Sequence, residues 1–407
     1  MEAPVDPHHV RRSTFLLAAT LTCLSGMIQL VVAVSTVTLV LVTGVESILG
    51  LGPAVFLVAG ASAALPAGRA MDRFGRIPVL AAGCVAGITG CLVSALGARL
   101  DATVLVLAGF VVVGISSGTV LLARAAAADL YPPALRARGI SYVLFGALFG
   151  AALGPLVFRP LLAGKELEAD ALVLPYVAAA VAMSVALALT LSIRPDPRRV
   201  ALALGGDGGT ERSAAPLREI LARPGAAAAL VAAVASFAVM VSVMNLTGYL
   251  VVHHGHHQSD VFTVISAHIV GMYALVLVVG GLIDRLGRRP ALVGGLAIMA
   301  VSTLGLVWAE SILWTSVALF GLGIGWNVSY VAAAAELSDI ATAAERGKVL
   351  GFTDLLSGMT GAAFALIGGA AYSGLGVAAL ALGATAVATA PAAWMLVRRP
   401  ARPLAAT

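Results

Sequence analysis

Apolar runs of about 20 residues follow one another along almost the whole chain, and each is long enough to cross a lipid bilayer as a helix. Of the 407 residues, 60% are hydrophobic and 11% are charged, whereas a soluble domain carries about 25% charged residues. A large soluble core would not account for such a low fraction of charged residues. The sequence therefore predicts an all-α membrane protein that crosses the bilayer many times.

Twelve such runs are present, and short polar connections separate them everywhere except at residues 194–225. This break is rich in Gly, Pro and charge, which is typical of a linker. We predict an N-terminal six-helix bundle (1–194), a cytoplasmic linker (195–224) and a C-terminal six-helix bundle (225–407). The spans are expected near residues 14–40, 47–70, 77–98, 102–127, 138–162, 172–194, 225–252, 261–283, 290–309, 312–336, 347–371 and 375–397.

The basic residues indicate the orientation, because cytoplasmic loops are enriched in Lys and Arg. With both termini in the cytoplasm, 22 of the 25 Lys and Arg fall on the inner side, and the outer side receives Arg99, Arg159 and Lys165. Arg11 and Arg12 precede an apolar run that is longer than the core of a signal peptide, so we expect an uncleaved first span. The cytoplasmic loops account for the mild positive charge, and no nucleic-acid partner is expected.

The two halves of the chain repeat each other. GRAMDRFGR (68–76) matches GGLIDRLGR (280–288), and AAAADL (125–130) matches AAAAEL (332–337) in the same order. Two parallel repeats of six spans imply a pseudo-two-fold axis along the membrane normal, with a substrate site between the halves near mid-depth.

The repeated GxxxDRxGR segment has features of a gate. Its glycines allow a tight turn and a close approach of helices, and its Asp lies among arginines at the cytoplasmic face. Such a cluster can pair with facing helix ends in one state and separate in another; the alternative is a topology signal alone. The residues concerned are Gly68, Asp72, Arg73, Gly75 and Arg76 in the first copy and Gly280, Asp284, Arg285, Gly287 and Arg288 in the second.

This segment resembles the loop motif of the major facilitator superfamily, which lies between spans two and three and again between spans eight and nine. GALFGAALGP (146–155) in span five also resembles the small-residue stripe of that family's proton-coupled antiporters. The resemblance implies the major facilitator fold, with secondary transport by alternating access and a cytoplasmic latch. The sequence shows no phosphate loop and no nucleophile–base pair, so neither an ATP-driven pump nor an enzyme is expected, and no cofactor is expected.

Two neighbouring spans carry soft metal ligands one helical turn apart: Met240-x-x-x-Met244 in span seven and His268-x-x-x-Met272 in span eight. Residues four apart share a helix face. At 1.5 Å per residue, Met244 and His268 both lie about 10–12 Å below the outer surface, and Met240 and Met272 about 16–18 Å. We call these four residues the soft-ligand cage.

The ligand types in this cage favour Cu(I), because thioethers are soft and neutral. The alternative is that the methionines only fill irregular apolar gaps. A histidine inside a span is harder to explain by packing, since ionisable groups in the bilayer are rare and usually functional.

The pattern MxxxM in span seven with HxxxM in span eight is similar to that of the CcoA-like (CalT) copper importers, a narrower group within the superfamily. That resemblance implies uptake of copper across a bacterial inner membrane, with copper as cargo and not as cofactor. We expect a monomeric carrier whose partners are the copper ion and the lipid bilayer.

An organic cargo is the alternative, since some relatives of that group are assigned to riboflavin and the span-five glycine stripe favours drug efflux. The low aromatic content of 6% weakly opposes a large planar cargo. A third alternative is a transporter-shaped metal receptor that binds copper without moving it.

Several residues around the cage carry further hypotheses. The loop HHGHHQSD (253–260) is placed to collect metal ions from outside, or it is simply a polar turn. Asn245 either orients a ligand or makes an interhelical hydrogen bond, and Asp354 either couples transport to protons or belongs to the gate. Cys23 and Met27 are either a second relay pair across the pseudo-two-fold axis or packing residues. The histidines of the loop are His253, His254, His256 and His257.

Overall fold

Helices account for all the regular secondary structure in the part of the chain that the structure describes. The computed structural model describes residues 7–43, 51–162, 173–204, 215–253, 258–308 and 310–397. Within these ranges, each of the twelve predicted spans is mostly helical. Nine helices there are long and apolar enough to cross a membrane, and a bent pair adds a tenth span. The predicted all-α membrane architecture is confirmed.

The chain divides into two compact units. Unit 1 consists of Met1–Arg212 together with Ala343–Met359, and unit 2 consists of Ser213–Thr342 together with Thr360–Thr407. The first half of the sequence therefore packs with a short segment that lies far along the second half. We call Ala343–Met359 the shared segment.

Unit 1 contains the first eight helices. They are α1 (Pro7–Thr43), α2 (Leu51–Phe74), α3 (Arg76–Arg99), α4 (Thr103–Val120), α5 (Ala123–Asp129), α6 (Arg136–Leu162), α7 (Val173–Leu191) and α8 (Pro197–Leu204). Helix α1 packs on α6 and α7, while α3 packs on α4 and α7.

Unit 2 is organised around one central helix. Its helices are α9 (Leu217–Ala222), α10 (Ala226–His253), α11 (Gln258–Tyr273), α12 (Val276–Leu286), α13 (Arg288–Gly305), α14 (Ile312–Ile340) and α15 (Arg346–Val397), the last of which begins in the shared segment. Helices α10, α11 and α13 all pack on α14. Gly376, with φ +80°, separates the two spans of α15.

Small residues set the spacing of the helices in unit 1. A Cβ atom on Gly146 would lie 2.0 Å from the Ala18 carbonyl oxygen, so α6 and α1 meet backbone to backbone. The hydroxyl of Thr22 donates to the Gly146 carbonyl at 2.8 Å, and that of Ser25 to the Ala147 carbonyl at 2.9 Å. The span-five glycine stripe is thus used, at least at this end, for close helix packing.

The repeated loop motif has the same backbone form in both copies. Gly75 separates α2 from α3 with φ +98°, and Gly287 separates α12 from α13 with φ +92°. Side chains with a Cβ atom rarely adopt this left-handed conformation, so glycine is required at both turns.

Candidate functional site

His268 is fully buried where α11 packs on α14. Its Nδ1 lies 2.9 Å from the carbonyl oxygen of Leu319. Because a carbonyl only accepts hydrogen bonds, Nδ1 carries the proton in this contact and Nε2 keeps its lone pair. Nε2 is buried and has no hydrogen-bond partner among the described residues.

The crossing of α11 and α14 is unusually close. A Cβ atom on Gly271 would lie 2.3 Å from the Phe320 carbonyl oxygen, and one on Gly323 would lie 2.5 Å from the His268 carbonyl oxygen. One turn further along, the amide of Asn327 donates to the Met272 carbonyl at 2.5 Å. Both predicted ligands of α11 therefore lie on or beside a fixed backbone contact.

The methionines of the predicted cage are slightly more exposed than His268. Met240 and Met272 are buried and Met244 is half-buried. The convergence of Met240 and Met244 on His268 and Met272 stays a prediction. Among the described residues, no three or more His, Cys, Asp or Glu side chains lie close enough together to hold a metal ion.

Other residues predicted near the cage are less well defined. His253 and Asn245 lie in α10, and their side chains are not described. The other loop histidines, His254, His256 and His257, lie outside the described residues. Their roles as capture or orienting groups stay predictions.

The soft pair of α1 lies in unit 1. Met27 is fully buried, and Cys23 is a half-buried free thiol. A relay function for this pair stays a prediction.

A charged cluster joins α2, α3 and α5 of unit 1 to the start of α15. The carboxylate of Asp72 accepts hydrogen bonds from the backbone N–H groups of Gly347 (2.8 Å) and Lys348 (2.6 Å). It also pairs with Arg76 at 2.8 Å. The carboxylate thus neutralises the positive end of the α15 dipole as well as a buried guanidinium.

The second carboxylate of this cluster is Asp129, which is completely buried. It accepts from Arg76 at 2.6 Å and from Arg346 at 2.5 Å. Arg76 further donates to the Ala343 carbonyl at 2.7 Å. We call Asp72, Arg76, Asp129 and Arg346 the latch cluster. Two of its members, Asp129 and Arg346, are not among the predicted gate residues, although Asp129 lies in a segment that the internal repeat singles out.

The second copy of the motif forms a smaller cluster inside unit 2. Arg288 pairs with Asp284 at 2.6 Å and with Asp339 at 3.1 Å. The repeat aligns Asp129 with Glu336, yet Arg288 pairs with the residue three positions further on. Arg73 and Arg285, which the motif also singled out, are exposed.

A separate ion pair lies deeper in unit 1. Arg124, at the start of α5, pairs with Asp354 of α15 at 2.5 Å. The guanidinium is 1% exposed and the carboxylate 12%. The other carboxylate oxygen, Oδ2, is buried and has no hydrogen-bond partner in the described part of the chain.

Three aromatic side chains meet beside the break between α11 and α12. The rings of Trp326 and Tyr330 stack, with centroids 4.7 Å apart and an interplanar angle of 15°. Tyr273 meets Trp326 edge to face at 6.3 Å. The Nε1 of Trp326 and the Oδ1 of Asn327 are both buried without a hydrogen-bond partner in the described ranges. An overall aromatic content of 6% gave no indication of this cluster.

Two units of membrane helices, with a charged motif repeated in both and ionisable groups buried between apolar helices, are typical of a membrane transport protein. The family model of the Major Facilitator Superfamily matches residues 13–326 and 239–407. The chain belongs to the Major Facilitator Superfamily. It is therefore a secondary transporter and not an enzyme, and it works without a cofactor.

Individual relatives agree with this family. The chain is 30% identical over 348 residues to the uncharacterized MFS-type transporter YdeG of Bacillus subtilis, covering 83% of this chain and 80% of YdeG. It is 29% identical over 300 residues to the riboflavin transporter RfnT of Brucella anthropi, covering 72% of each. Its fold matches the proton:xylose symporter XylE with a TM-score of 0.79 at 16% identity, over 96% of both chains.

Proposed function

We propose that this secondary transporter imports copper, as Cu(I), and that the soft-ligand cage of Met240, Met244, His268 and Met272 binds the ion. The observation that carries the proposal is the buried, unpartnered Nε2 of His268. A buried polar atom without a partner costs about 1–3 kcal/mol. A protein is expected to retain such a costly atom where the atom binds a ligand.

The contact with Leu319 supports the assignment of Nε2 as the ligand atom. Metal-binding histidines usually donate their other ring N–H to a carbonyl or carboxylate, which fixes the tautomer and the ring orientation. His268 makes this contact to the backbone carbonyl of Leu319. An imidazole and thioethers also bring no negative charge into the membrane, which suits a monovalent soft ion.

The test is uptake of Cu(I) into proteoliposomes under reducing conditions. Met240→Leu, Met244→Leu and Met272→Leu keep the side-chain volume nearly unchanged but remove the thioether, and His268→Leu removes Nε2. We expect uptake to fall at least about tenfold in each variant, because each loses a ligand to the ion. The matched control is Met299→Leu, since Met299 is fully buried in α13 of the same unit.

Loss of uptake in Met299→Leu as well would show general damage to unit 2, and undiminished uptake in all four ligand variants would contradict the proposal. Copper that binds but does not exchange in counterflow would identify a receptor in place of a transporter.

A planar organic solute is the second candidate cargo, and the aromatic cluster of Tyr273, Trp326 and Tyr330 favours it. Stacked rings beside an unpartnered indole N–H and an unpartnered amide oxygen match a ring with both acceptor and donor atoms. RfnT is a riboflavin transporter by name, so riboflavin is the first solute to examine.

For this candidate we expect Trp326→Leu to reduce riboflavin uptake into proteoliposomes by about tenfold, because stacking and one hydrogen bond are lost. The control is Trp314→Leu, since Trp314 lies on the same helix but is 48% exposed. Unchanged riboflavin uptake in Trp326→Leu would show that the aromatic cluster does not bind this solute.

A further inference from the structure

The ion pair of Arg124 and Asp354 differs from the latch cluster in one respect. Both carboxylate oxygens of Asp72 accept backbone N–H groups, and both oxygens of Asp129 accept guanidinium groups. Those contacts occupy both oxygens of each carboxylate. Asp354 uses only Oδ1, while its Oδ2 is buried and unpartnered among the described residues.

The position of Asp354 adds a second observation. It lies eight residues after the start of α15, about 12 Å along the helix, and thus inside the bilayer in the predicted arrangement of spans. It also belongs to the shared segment, whose chain neighbours on both sides are in unit 2. The shared segment comes from the C-terminal half of the sequence but packs in unit 1. Its buried ion pair with Arg124 helps to hold it there.

From these observations we propose that Asp354 is the proton-binding site through which transport is coupled to a proton gradient. In the proton-binding step, a hydronium ion gives its proton to Oδ2, one O–H bond breaks and another forms, and no electrons are transferred. The carboxyl becomes neutral while Arg124 keeps its charge. The pair loses its attraction, and the latch cluster is left as the charged contact that holds the shared segment in unit 1.

Other charged groups in unit 1 bear on this step. Among its described residues, the other buried charged side chains are Asp72, Arg76, Asp129, Arg136, Glu345 and Arg346. Glu345 is the carboxyl that most needs to be distinguished from Asp354, because it is also buried and lies at the start of the same segment. The proposal goes beyond the cargo and holds for either copper or an organic solute.

The test is infrared difference spectroscopy on the full-length protein in lipid, between acidic and alkaline buffer and without any cargo. We expect a carbonyl band of a protonated carboxyl in the wild type, its loss in Asp354→Asn, and its retention in Glu345→Gln. In Arg124→Gln the band should remain and its midpoint should move to higher pH by about one unit or more, because the cation that opposes protonation is gone.

An unchanged band in Asp354→Asn, or loss of the band in Glu345→Gln alone, would overturn the assignment. Should Asp354→Asn fail to fold, Asp354→Glu and Arg124→Gln decide the question, since an unmoved midpoint in both also overturns it. The spectra are recorded without copper or riboflavin. Their outcome therefore does not depend on which of the two is transported. In proteoliposomes that carry Cu(I), Asp354→Asn should keep counterflow and lose accumulation driven by a pH gradient.

Discussion

Replacing Asp129 by asparagine is expected to lower the free energy of unfolding by about 3–5 kcal/mol, because removing one partner of a buried ion pair leaves an uncompensated charge. Asp129 is the carboxylate shared by Arg76 and Arg346, and none of the three side chains is more than 7% exposed. The substitution keeps the shape of the side chain and removes only its charge. Equilibrium unfolding of the purified protein in detergent measures the change.

The matched control for this prediction is Asp339→Asn in unit 2. Asp339 pairs with Arg288, the counterpart of Arg76 in the repeat, but its side chain is 24% exposed and the contact is 3.1 Å long. A partly solvated pair contributes little, so we expect a loss below about 1 kcal/mol. Equal losses in the two variants would mean that burial of the latch cluster does not determine its contribution.

Gly68→Val is expected to displace the shared segment from unit 1. A Cβ atom on Gly68 would lie 1.9 Å from the Gly347 carbonyl oxygen, and a backbone atom cannot move aside alone. Separation of the two helices breaks the bonds from Gly347 and Lys348 to Asp72, and each hydrogen bond to a charged group contributes about 1.5–3 kcal/mol. We therefore expect the population of the released segment to rise by a factor on the order of ten or more.

Thiol labelling measures this release. Leu350 is completely buried in the shared segment, so a cysteine at Leu350 in a background without Cys23, Cys84 and Cys91 reports its exposure to a maleimide. Gly294→Val is the control, because a Cβ atom there meets nothing within 4 Å. Labelling that is no faster in Gly68→Val than in Gly294→Val would show that the close contact of Gly68 with Gly347 does not hold the segment.

Much of the fold follows from local physical constraints, and these are the features that the sequence predicts well. Runs of apolar residues have to form helices in a membrane, since the backbone polar groups find no water there. Gly75 and Gly287 adopt the positive φ that the repeated motif suggested. Asp72 and Arg76 are four residues apart in sequence and meet across the turn at Gly75.

Contacts between distant segments were not predictable in the same way. The pairing of Arg346 with Asp129 and that of Arg124 with Asp354 depend on which helices become neighbours, and periodicity carries no information about that choice. The contacts of His268 and Met272 with α14 are of the same kind, and the convergence of α10 and α11 at the soft-ligand cage stays a prediction. A helix with apolar residues on every side gives no sign of which neighbour a given residue will meet.

The shared segment has a consequence for biosynthesis. When the ribosome has completed residue 212, all of unit 1 has been made except Ala343–Met359. Until that stretch emerges, Asp129 lacks Arg346 and Arg124 lacks its counter-ion, so the first half of the nascent chain holds charges in an unfinished core. The first sequence repeat is therefore not an independent folding unit, and in a protein expressed as two separate halves unit 1 is complete only after it binds this stretch of the second half.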